Sequence, residues 1–273
     1  MKHYTGTPRE LLESLRQNRS LILALTRRDI VGRYRGSSLG ILWSFVNPLI
    51  MLAVYTFAFG VVFGARWTPT SDSKMEFAII LFAGMLVFSL FSECVNRSPS
   101  LVLANPSYVK RVVFPLEVLP VVALGSSMFH MIVSFVVWLI FYVVAFGLPS
   151  FHILLLPFVM FPLILFTIGL SWFLASLGVY LRDVGQMVSS ITLVLLFMSA
   201  IFYPIEALPE NLRTPLMIVN PLVFHVEICR QLMVWGQLPA FRSWMIYLVF
   251  GFAVAGLGYA WFQKTRRGFA DVL

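Results

Sequence analysis

The chain has 273 residues, of which 59% are hydrophobic and only 12% are charged, and its mean hydropathy is +0.88. Because soluble domains carry about 25% charged residues, this composition excludes an ordinary soluble protein and predicts an all-α integral membrane protein. In a soluble chain the net charge of +8 would indicate a nucleic-acid partner. Its uneven distribution here indicates membrane topology and attraction to anionic lipid instead, so no nucleic-acid partner is expected.

The first segment, 1–35, is basic and partly amphipathic. It holds eight of the 20 Lys and Arg residues, and leucines recur on one side of it until a polar break at 17–20. This pattern predicts a helix lying at the membrane interface, which either anchors the chain to anionic lipid or offers a partner surface. A charged stretch of this length before the first apolar run is unlike a cleavable signal peptide, so we expect a cytoplasmic N-terminus.

The second segment, 36–273, is predicted to cross the membrane six times. Gly36–Ala65 contains 30 residues without Asp, Glu, Lys or Arg, whereas about 20 apolar residues suffice to span a bilayer. Val118–Leu181 is long enough for two helices, and a turn signal at 147–150 divides it. The expected spans are about 38–64, 77–97, 118–146, 152–178, 186–204 and 243–263.

The basic residues predict the orientation. With six spans, 15 of the 20 Lys and Arg residues fall on the side of the N-terminus and five on the other. Since cytoplasmic loops are enriched in Lys and Arg, both termini are expected in the cytoplasm.

The outer segment 205–240 carries apolar stretches too short to span, broken by several prolines. Such stretches are typical of re-entrant segments, whose backbone must be satisfied by protein or by a water-filled cavity. We therefore predict a re-entrant helical hairpin between spans five and six, with a loop lying on the membrane surface as the alternative.

Few residues in the apolar runs carry chemistry. Glu93, His130 and Glu227 are the candidate ionisable residues at membrane depth, and satisfied contacts between helices are favoured over a proton path or an acid–base pair. Cys94 and Cys229 are isolated and are interpreted as packing residues. No Walker-type phosphate loop and no metal-binding motif occurs.

A series of short motifs then resembles a known family. The segment Arg33–Leu49 reads RYRGSSLGILWSFVNPL, and FPLEVLP (114–120), YLRDV (180–184), IFYP (201–204) and NPL (220–222) follow in order. This ordered set resembles ABC-2 type permeases that export O-antigen, capsule or teichoic-acid polysaccharides, and is most similar to the O-antigen exporters. It covers nearly the whole chain.

The resemblance implies a homodimer in the bacterial inner membrane, with a cytoplasmic ABC ATPase bound to each half. The chain itself would hold no cofactor, because ATP and Mg would bind to that partner. The implied cargo is a polysaccharide linked to polyprenyl pyrophosphate, carried outward from the cytoplasmic leaflet. Two alternatives remain at this point: an ABC-2 exporter of drugs or lipids, and a six-span membrane enzyme acting on polyprenyl glycans.

Roles for individual residues follow from the resemblance and from side-chain chemistry. Guanidinium groups bind phosphate bidentately, so Arg33, Tyr34 and Arg35 are candidates for the lipid pyrophosphate, with simple topological anchoring as the alternative. The aromatic residues either form interfacial belts or stack on sugar rings, and the candidates for pore-facing aromatics are Trp43, Tyr55, Phe202 and Tyr203.

Two loops are candidates for transmitting motion from the ATPase, as coupling elements do in the family. The candidate residues are Asn105, Lys110, Arg111, Arg182 and Asp183. For Asp183 the structural alternative is a helix cap or an ion pair with Arg182.

Overall fold

The computed structural model describes residues 8–62, 64, 67, 73–109 and 114–272, and the regular elements in these ranges are all helical. This confirms the predicted all-α class. The helices are α1 (Pro8–Gln17), α2 (Arg19–Tyr34), α3 (Trp43–Tyr55), α4 (Lys74–Arg97), α5 (Pro106–Val109), α6 (Val118–Phe146), α7 (Leu156–Tyr180), α8 (Val184–Met198), α9 (Glu210–Val219), α10 (Pro221–Trp235), α11 (Phe241–Thr265) and α12 (Phe269–Val272).

Within the described ranges, five helical segments are long and apolar enough to cross a membrane, and a bent pair of helices would make six. The five are Gly40–Val62, Lys74–Ser100, Val118–Phe146, Phe151–Tyr180 and Phe241–Val272. The predicted span at 186–204 corresponds to α8, whose 15 residues rise only about 22 Å. α8 stops short because the chain turns at Ala200, which has a positive φ of 52°.

The N-terminal segment packs against the spans. The predicted polar break lies at the junction of α1 and α2, which end and begin at Gln17 and Arg19. On α2, Leu25 is buried against Val118 and Val122 at the start of α6. A helix that served only as a lipid anchor would leave this leucine unpacked, so the segment is part of the tertiary structure.

α4 is the most enclosed of the long helices. Of its most apolar 18-residue stretch, 78% is buried within the chain, against 11% for the first span, Gly40–Val62. Ser73 caps its start by accepting a hydrogen bond from the Glu76 amide at 3.2 Å, as in a capping box. α6, α7, α8 and α10 all pack around α4, so it positions most of the other spans.

Helices α7 and α11 make the most extensive helix–helix contact, and glycines allow it. A Cβ atom added to Gly258 would overlap the carbonyl oxygen of Gly169, and one added to Gly251 would lie 2.8 Å from the Pro162 oxygen. Small residues permit such close approach between membrane helices. Gly32, Gly36 and Gly40, which also repeat at four-residue spacing, have no such role among the described residues, because a Cβ at those positions meets none of their atoms within 4 Å.

The predicted helical hairpin is present as α9 and α10, which meet at an angle of 103°. Pro221 lacks the amide hydrogen that would continue α9, and the residue before it, Asn220, is extended and caps α10 by accepting from the Leu222 amide at 3.0 Å. Since most of α10 is buried, this part of the segment packs into the bundle, which argues against the alternative of a loop lying on the membrane surface.

The bundle has two ends, which differ in the elements they contain. The α2 end contains α2, the start of α6 and the last turn of α11. The hairpin end contains α9, α10 and the start of α4.

Candidate functional site

A cavity of about 200 Å³ lies between α2, α3, α4 and α6. Its polar side is formed by Arg33, Tyr34, Glu93 and His130, and its apolar walls contain methionine, phenylalanine and tyrosine side chains. The apolar residues that line it are Pro48, Met51, Tyr55, Phe82, Met85, Leu86 and Met131, and the uncharged polar residues are Ser44, Asn47, Ser89, Ser127 and Ser134. A space with one charged side and walls that are largely but not wholly apolar can accommodate an amphiphile that has an ionic head group.

Two ion pairs join α2 to α4 at the polar side of this cavity. Arg33 Nη1 lies 2.7 Å from Glu93 Oε1, and Arg97 Nη2 lies 2.7 and 2.8 Å from the two oxygens of Asp29. Asp29 and Arg33 are one turn apart on α2, as are Glu93 and Arg97 on α4, so they share a helix face. Because the two helices run antiparallel here, each acid meets a base.

His130 on α6 completes the cluster. Its Nδ1 atom lies 2.8 Å from Glu93 Oε1 and 2.8 Å from Arg33 Nη1, and its Nε2 atom lies 3.1 Å from the Tyr34 hydroxyl. With the proton on Nδ1, the ring donates to Glu93 and accepts from Tyr34. With the proton on Nε2, it donates to Tyr34 and accepts from Arg33. Burial raises the pKa of Tyr34, so its phenol is protonated in either arrangement.

The three predicted head-group residues therefore differ in their surroundings. Arg33 and Tyr34 line the cavity, and Arg33 is already paired with a carboxylate. Arg35 is exposed, and its side chain makes no ion pair within the described ranges. Asp29 and Arg33 on α2 face Arg97 and Glu93 on α4, so each of these charges has a partner of opposite sign. The cluster is therefore not the purely basic site that the sequence indicated. The part of the chain that the structure describes contains no group of His, Cys, Asp or Glu able to hold a metal ion.

The sequence interpretation found Glu93 and His130 but did not join them to Arg33. The sequence favours satisfied contacts between helices for both residues, and the hydrogen bonds confirm such contacts. The missed signal is the repeated spacing of an acid followed four residues later by a base, at 29 and 33 and again at 93 and 97. Two such helix faces complement each other only when the helices are antiparallel neighbours.

The predicted pore aromatics lie in different places. Tyr55 lines the cavity and packs against Phe202, with 5.5 Å between ring centroids, and Phe59 stacks on Phe202 at 4.6 Å. Tyr203 donates its hydroxyl to the Phe197 carbonyl at 3.1 Å. Trp43 lies apart from these residues at the α2 end, beside Arg33 and Tyr34 in an open groove.

The predicted coupling residues lie at the α2 end where the structure describes them. Arg182 and Asp183 are exposed, and Asp183 precedes α8 without a side-chain capping hydrogen bond. Asn105 donates to the Leu101 carbonyl at 2.9 Å. Lys110 and Arg111 lie outside the described residues.

The segments that hold the predicted coupling residues are connected by one short helix. The short helix Ser98–Ser100 packs against both α7 and α8. A Cβ atom at Gly178 would overlap the Pro99 backbone, so the segment after α4 is held against the end of α7, directly before the loop that carries Arg182 and Asp183.

Glu117 is a buried residue at the α2 end that the sequence showed only as part of a motif. Its carboxylate accepts hydrogen bonds from Ser14 Oγ and Arg266 Nη1, both at 2.8 Å, and its carbonyl accepts from Trp172 Nε1 at 3.0 Å. α1 and the segment after α11 therefore meet at the Glu117 carboxylate, and α7 meets the backbone of the same residue at the start of α6.

Arg230 on α10 has a comparable position at the hairpin end and is fully buried. Its guanidinium donates to the carbonyls of Ala200, Ile201 and Ile80, at 3.1, 3.3 and 3.4 Å, and pairs with Glu227 at 3.1 Å. It thereby joins the hairpin to α4 and to the turn after α8. The sequence showed Arg230 only as one of five outer charges, because partners far apart in the chain cannot be identified from spacing.

Comparison with known proteins identifies the family. The model of the ABC-2 type transporter family matches residues 20–234. The O-antigen export system permease protein RfbA of Myxococcus xanthus is 27% identical over 262 residues, which cover 96% of this chain and 98% of that protein.

Two further relatives match at similar length. RfbA of Klebsiella pneumoniae is 27% identical over 254 residues, covering 93% of this chain and 95% of that protein. The polysialic acid transport protein KpsM of Escherichia coli is 26% identical over 247 residues, covering 89% and 92%. Because the family model spans the chain from α2 to α10, this multi-pass membrane protein belongs to the ABC-2 type transporter family.

Proposed function

We propose that this chain is the membrane subunit of a bacterial inner-membrane transporter that exports a polysaccharide linked to polyprenyl pyrophosphate. O-antigen is the favoured cargo. The observation that carries this proposal is the 27% identity to an O-antigen export permease over 96% of the chain. Membership of a transporter family argues against the membrane-enzyme alternative.

The transporter is proposed to contain two copies of this chain and two copies of a separate cytoplasmic ATPase that binds ATP and Mg. The absence of a Walker motif from the sequence supports an ATPase in trans. The excess of Lys and Arg on one side supports placing the α2 end and both termini in the cytoplasm. The first span, of which only 11% is buried within the chain, leaves a face available to the second copy.

The cavity supports a specific role for the α2 end. Arg33 and Tyr34 on its polar side, with Arg35 nearby in sequence, are proposed to receive the pyrophosphate, since guanidinium groups bind phosphate oxygens bidentately. Tyr55, which lines the cavity, is proposed to face the sugar chain, with Trp43 and Tyr203 as further contacts. Phe202 is buried and packs against Tyr55, so its proposed role is to hold the Tyr55 ring in place.

Loss of both arginines tests the head-group role. In reconstituted transporter with its ATPase, Arg33→Ala combined with Arg35→Ala is expected to raise the lipid concentration for half-maximal ATPase stimulation by about tenfold. Loss of a hydrogen bond to a charged group costs about 1.5–3 kcal/mol, and 1.4 kcal/mol corresponds to tenfold in affinity.

Arg16→Ala combined with Arg19→Ala is the matched control, because it removes the same charge from exposed positions in the same segment. If topology and general attraction to lipid explain the arginines, both double variants will behave alike. Unchanged export and unchanged lipid stimulation in the Arg33 and Arg35 variant would refute the head-group role.

Asp183→Ala tests the coupling role. Asp183 is exposed and makes no capping hydrogen bond, so its loss is expected to leave folding and assembly intact. We expect ATP hydrolysis to continue while export falls about tenfold or more, a loss of about 1.4 kcal/mol of coupling. Glu210→Ala, an exposed carboxylate at the hairpin end, is the control, and normal export by Asp183→Ala would contradict the prediction.

One alternative remains: an ABC-2 transporter with a different lumen that exports drugs or lipids. Two observations distinguish it from an exporter of lipid-linked polysaccharide. Co-purification with an ATPase encoded beside this gene would establish the assembly. Transport of a labelled lipid-linked glycan into vesicles would then establish the cargo, and transport of drugs or phospholipids without it would favour the alternative.

A further inference from the structure

Arg33 is held by an internal anion in the cavity that is proposed to receive phosphate. The carboxylate of Glu93 lies 2.7 Å from Arg33 Nη1, at the distance of a charge-assisted hydrogen bond. Any phosphate group that binds Arg33 bidentately must therefore displace Glu93 or share the guanidinium with it.

Glu93 has other partners that remain if Arg33 is withdrawn. His130 Nδ1 lies 2.8 and 3.1 Å from the two carboxylate oxygens, and Arg97 Nη1 lies 4.0 Å from Oε1. A buried carboxylate left without a partner is costly, but these two neighbours prevent that situation here. After the exchange Glu93 keeps its contact with His130 Nδ1 and lies near Arg97, which also pairs with Asp29.

The exposure of the three side chains identifies which of them is free to move. The Arg33 side chain is 43% exposed, whereas those of Glu93 and His130 are 18% and 12% exposed. Arg33 is also one residue from the end of α2. Arg33 is thus the member that can turn toward an incoming ligand, while Glu93 and His130 stay packed between α4 and α6.

We infer that Glu93 is an intramolecular competitor that occupies the Arg33 guanidinium until the pyrophosphate group of a lipid takes its place. This inference rests on the proposed function, because it concerns the same phosphate site. In the unloaded state the Arg33–Glu93 pair joins α2 to α4. In the loaded state Arg33 binds phosphate, and Glu93 is held by His130 and Arg97.

Glu93→Gln tests the competition directly. The amide keeps the size of the side chain and one accepting oxygen but removes the negative charge. In phosphatidylcholine nanodiscs that contain the transporter and its ATPase, we expect farnesyl pyrophosphate to bind Glu93→Gln about two- to fivefold more tightly than the unmodified protein. This range corresponds to the worth of a partly exposed ion pair.

A double-mutant cycle separates this inference from the proposed site. Arg33→Gln alone is expected to weaken binding of farnesyl pyrophosphate about tenfold, and adding Glu93→Gln to it should then give no gain. Unchanged binding in Arg33→Gln would overturn the proposed head-group site itself. Weakened binding in Arg33→Gln without any gain in Glu93→Gln would overturn only the competition.

Two further variants control for poor folding of Glu93→Gln and for a general electrostatic effect. Glu93→Asp keeps the charge but shortens the side chain away from Arg33, so a gain in affinity is also expected if the amide variant folds poorly. Glu13→Gln removes the same charge from an exposed position on α1 and should give no gain. An equal gain in Glu13→Gln would reduce the effect to general electrostatics and overturn the inference.

The source of the phosphate is distinguished by two additional titrations. Inorganic pyrophosphate tests a free anion, and nanodiscs containing phosphatidylglycerol test an ordinary phospholipid head group. The inference requires that Glu93→Gln gains affinity for farnesyl pyrophosphate and keeps that gain in phosphatidylglycerol. A gain confined to inorganic pyrophosphate, or abolished by phosphatidylglycerol, would overturn the assignment to a pyrophosphate lipid.

Discussion

Arg230→Met is expected to destabilise the protein by about 3–5 kcal/mol, the usual cost of breaking a buried ion pair from one side. Methionine fills similar space but donates no hydrogen bond. The carbonyls of Ala200 and Ile201 would lose their donor, and Glu227 would lose its cation. The hairpin would then be released from α4 and from the turn after α8, which we expect to see as a lower unfolding temperature and faster proteolysis within α9 and α10.

The backbone conformation of the turn after α8 increases the loss of stability expected for Arg230→Met. Ala200 has a positive φ, a conformation that costs a residue with a side chain about 1–3 kcal/mol and persists only where its surroundings support it. Arg230 also lies 4.2 Å above the Trp67 ring, a cation–π contact that methionine cannot replace in kind. Arg230→Lys keeps the charge but not the planar fork of donors, so an intermediate loss is expected.

Arg213→Met provides the matched control. Arg213 also donates to backbone carbonyls, those of Glu206 and Leu208, but both lie in the segment directly before its own helix, α9. Its loss should therefore weaken the hairpin locally, by about 1–3 kcal/mol, without separating it from α4. Equal effects of the two variants would contradict the view that Arg230 holds the hairpin to the bundle.

Gly258→Ala is expected to lower the free energy of unfolding by at least about 3 kcal/mol, the upper part of the range for overpacking. This is a large effect for the addition of one methyl group. A single methyl group at this position would overlap the carbonyl oxygen of Gly169 on α7. Because the obstacle is backbone, no side-chain rotation relieves the clash, and α7 and α11 must move apart along their length. Yield of folded protein and thermal unfolding in detergent measure the effect.

Gly256→Ala is the control two residues away on the same helix. A Cβ at Gly256 meets no atom within 4 Å, so only helix propensity applies, and alanine is expected to stabilise α11 by up to about 1 kcal/mol. The two substitutions should thus have opposite signs. A destabilising Gly256→Ala comparable with Gly258→Ala would show that the glycines matter for another reason than contact with α7.

The helical class and the hairpin were predictable because they depend on local properties. Long uncharged runs define apolar helices, and Pro221 with the extended Asn220 before it ends α9. The length of α8 was not predictable, since the apolar pattern continues beyond the residue where the helix stops. The backbone at Ala200 turns there, and its conformation is supported by Arg230 from a helix 30 positions later.

The candidate site was predictable in part for the same reason. The sequence indicated Arg33 and Tyr34 by their place before the first span, and the resemblance added the phosphate chemistry. It did not pair Arg33 with Glu93, because 60 positions separate them and the pairing depends on α2 lying antiparallel to α4. Glu117 and Arg266, 149 positions apart, were missed for this reason too.

The sequence by itself determined the membrane environment, the helical class, the separate basic segment and the resemblance to a transporter family. These properties follow from composition, charge distribution and motifs, each of which acts over a few turns of helix. The tertiary structure alone decided which charges are free and which are neutralised. Electrostatic pairing depends on distance in space, and folding brings Arg33 to Glu93 and Arg230 to Glu227 while leaving Arg35, at the start of the first uncharged run, exposed.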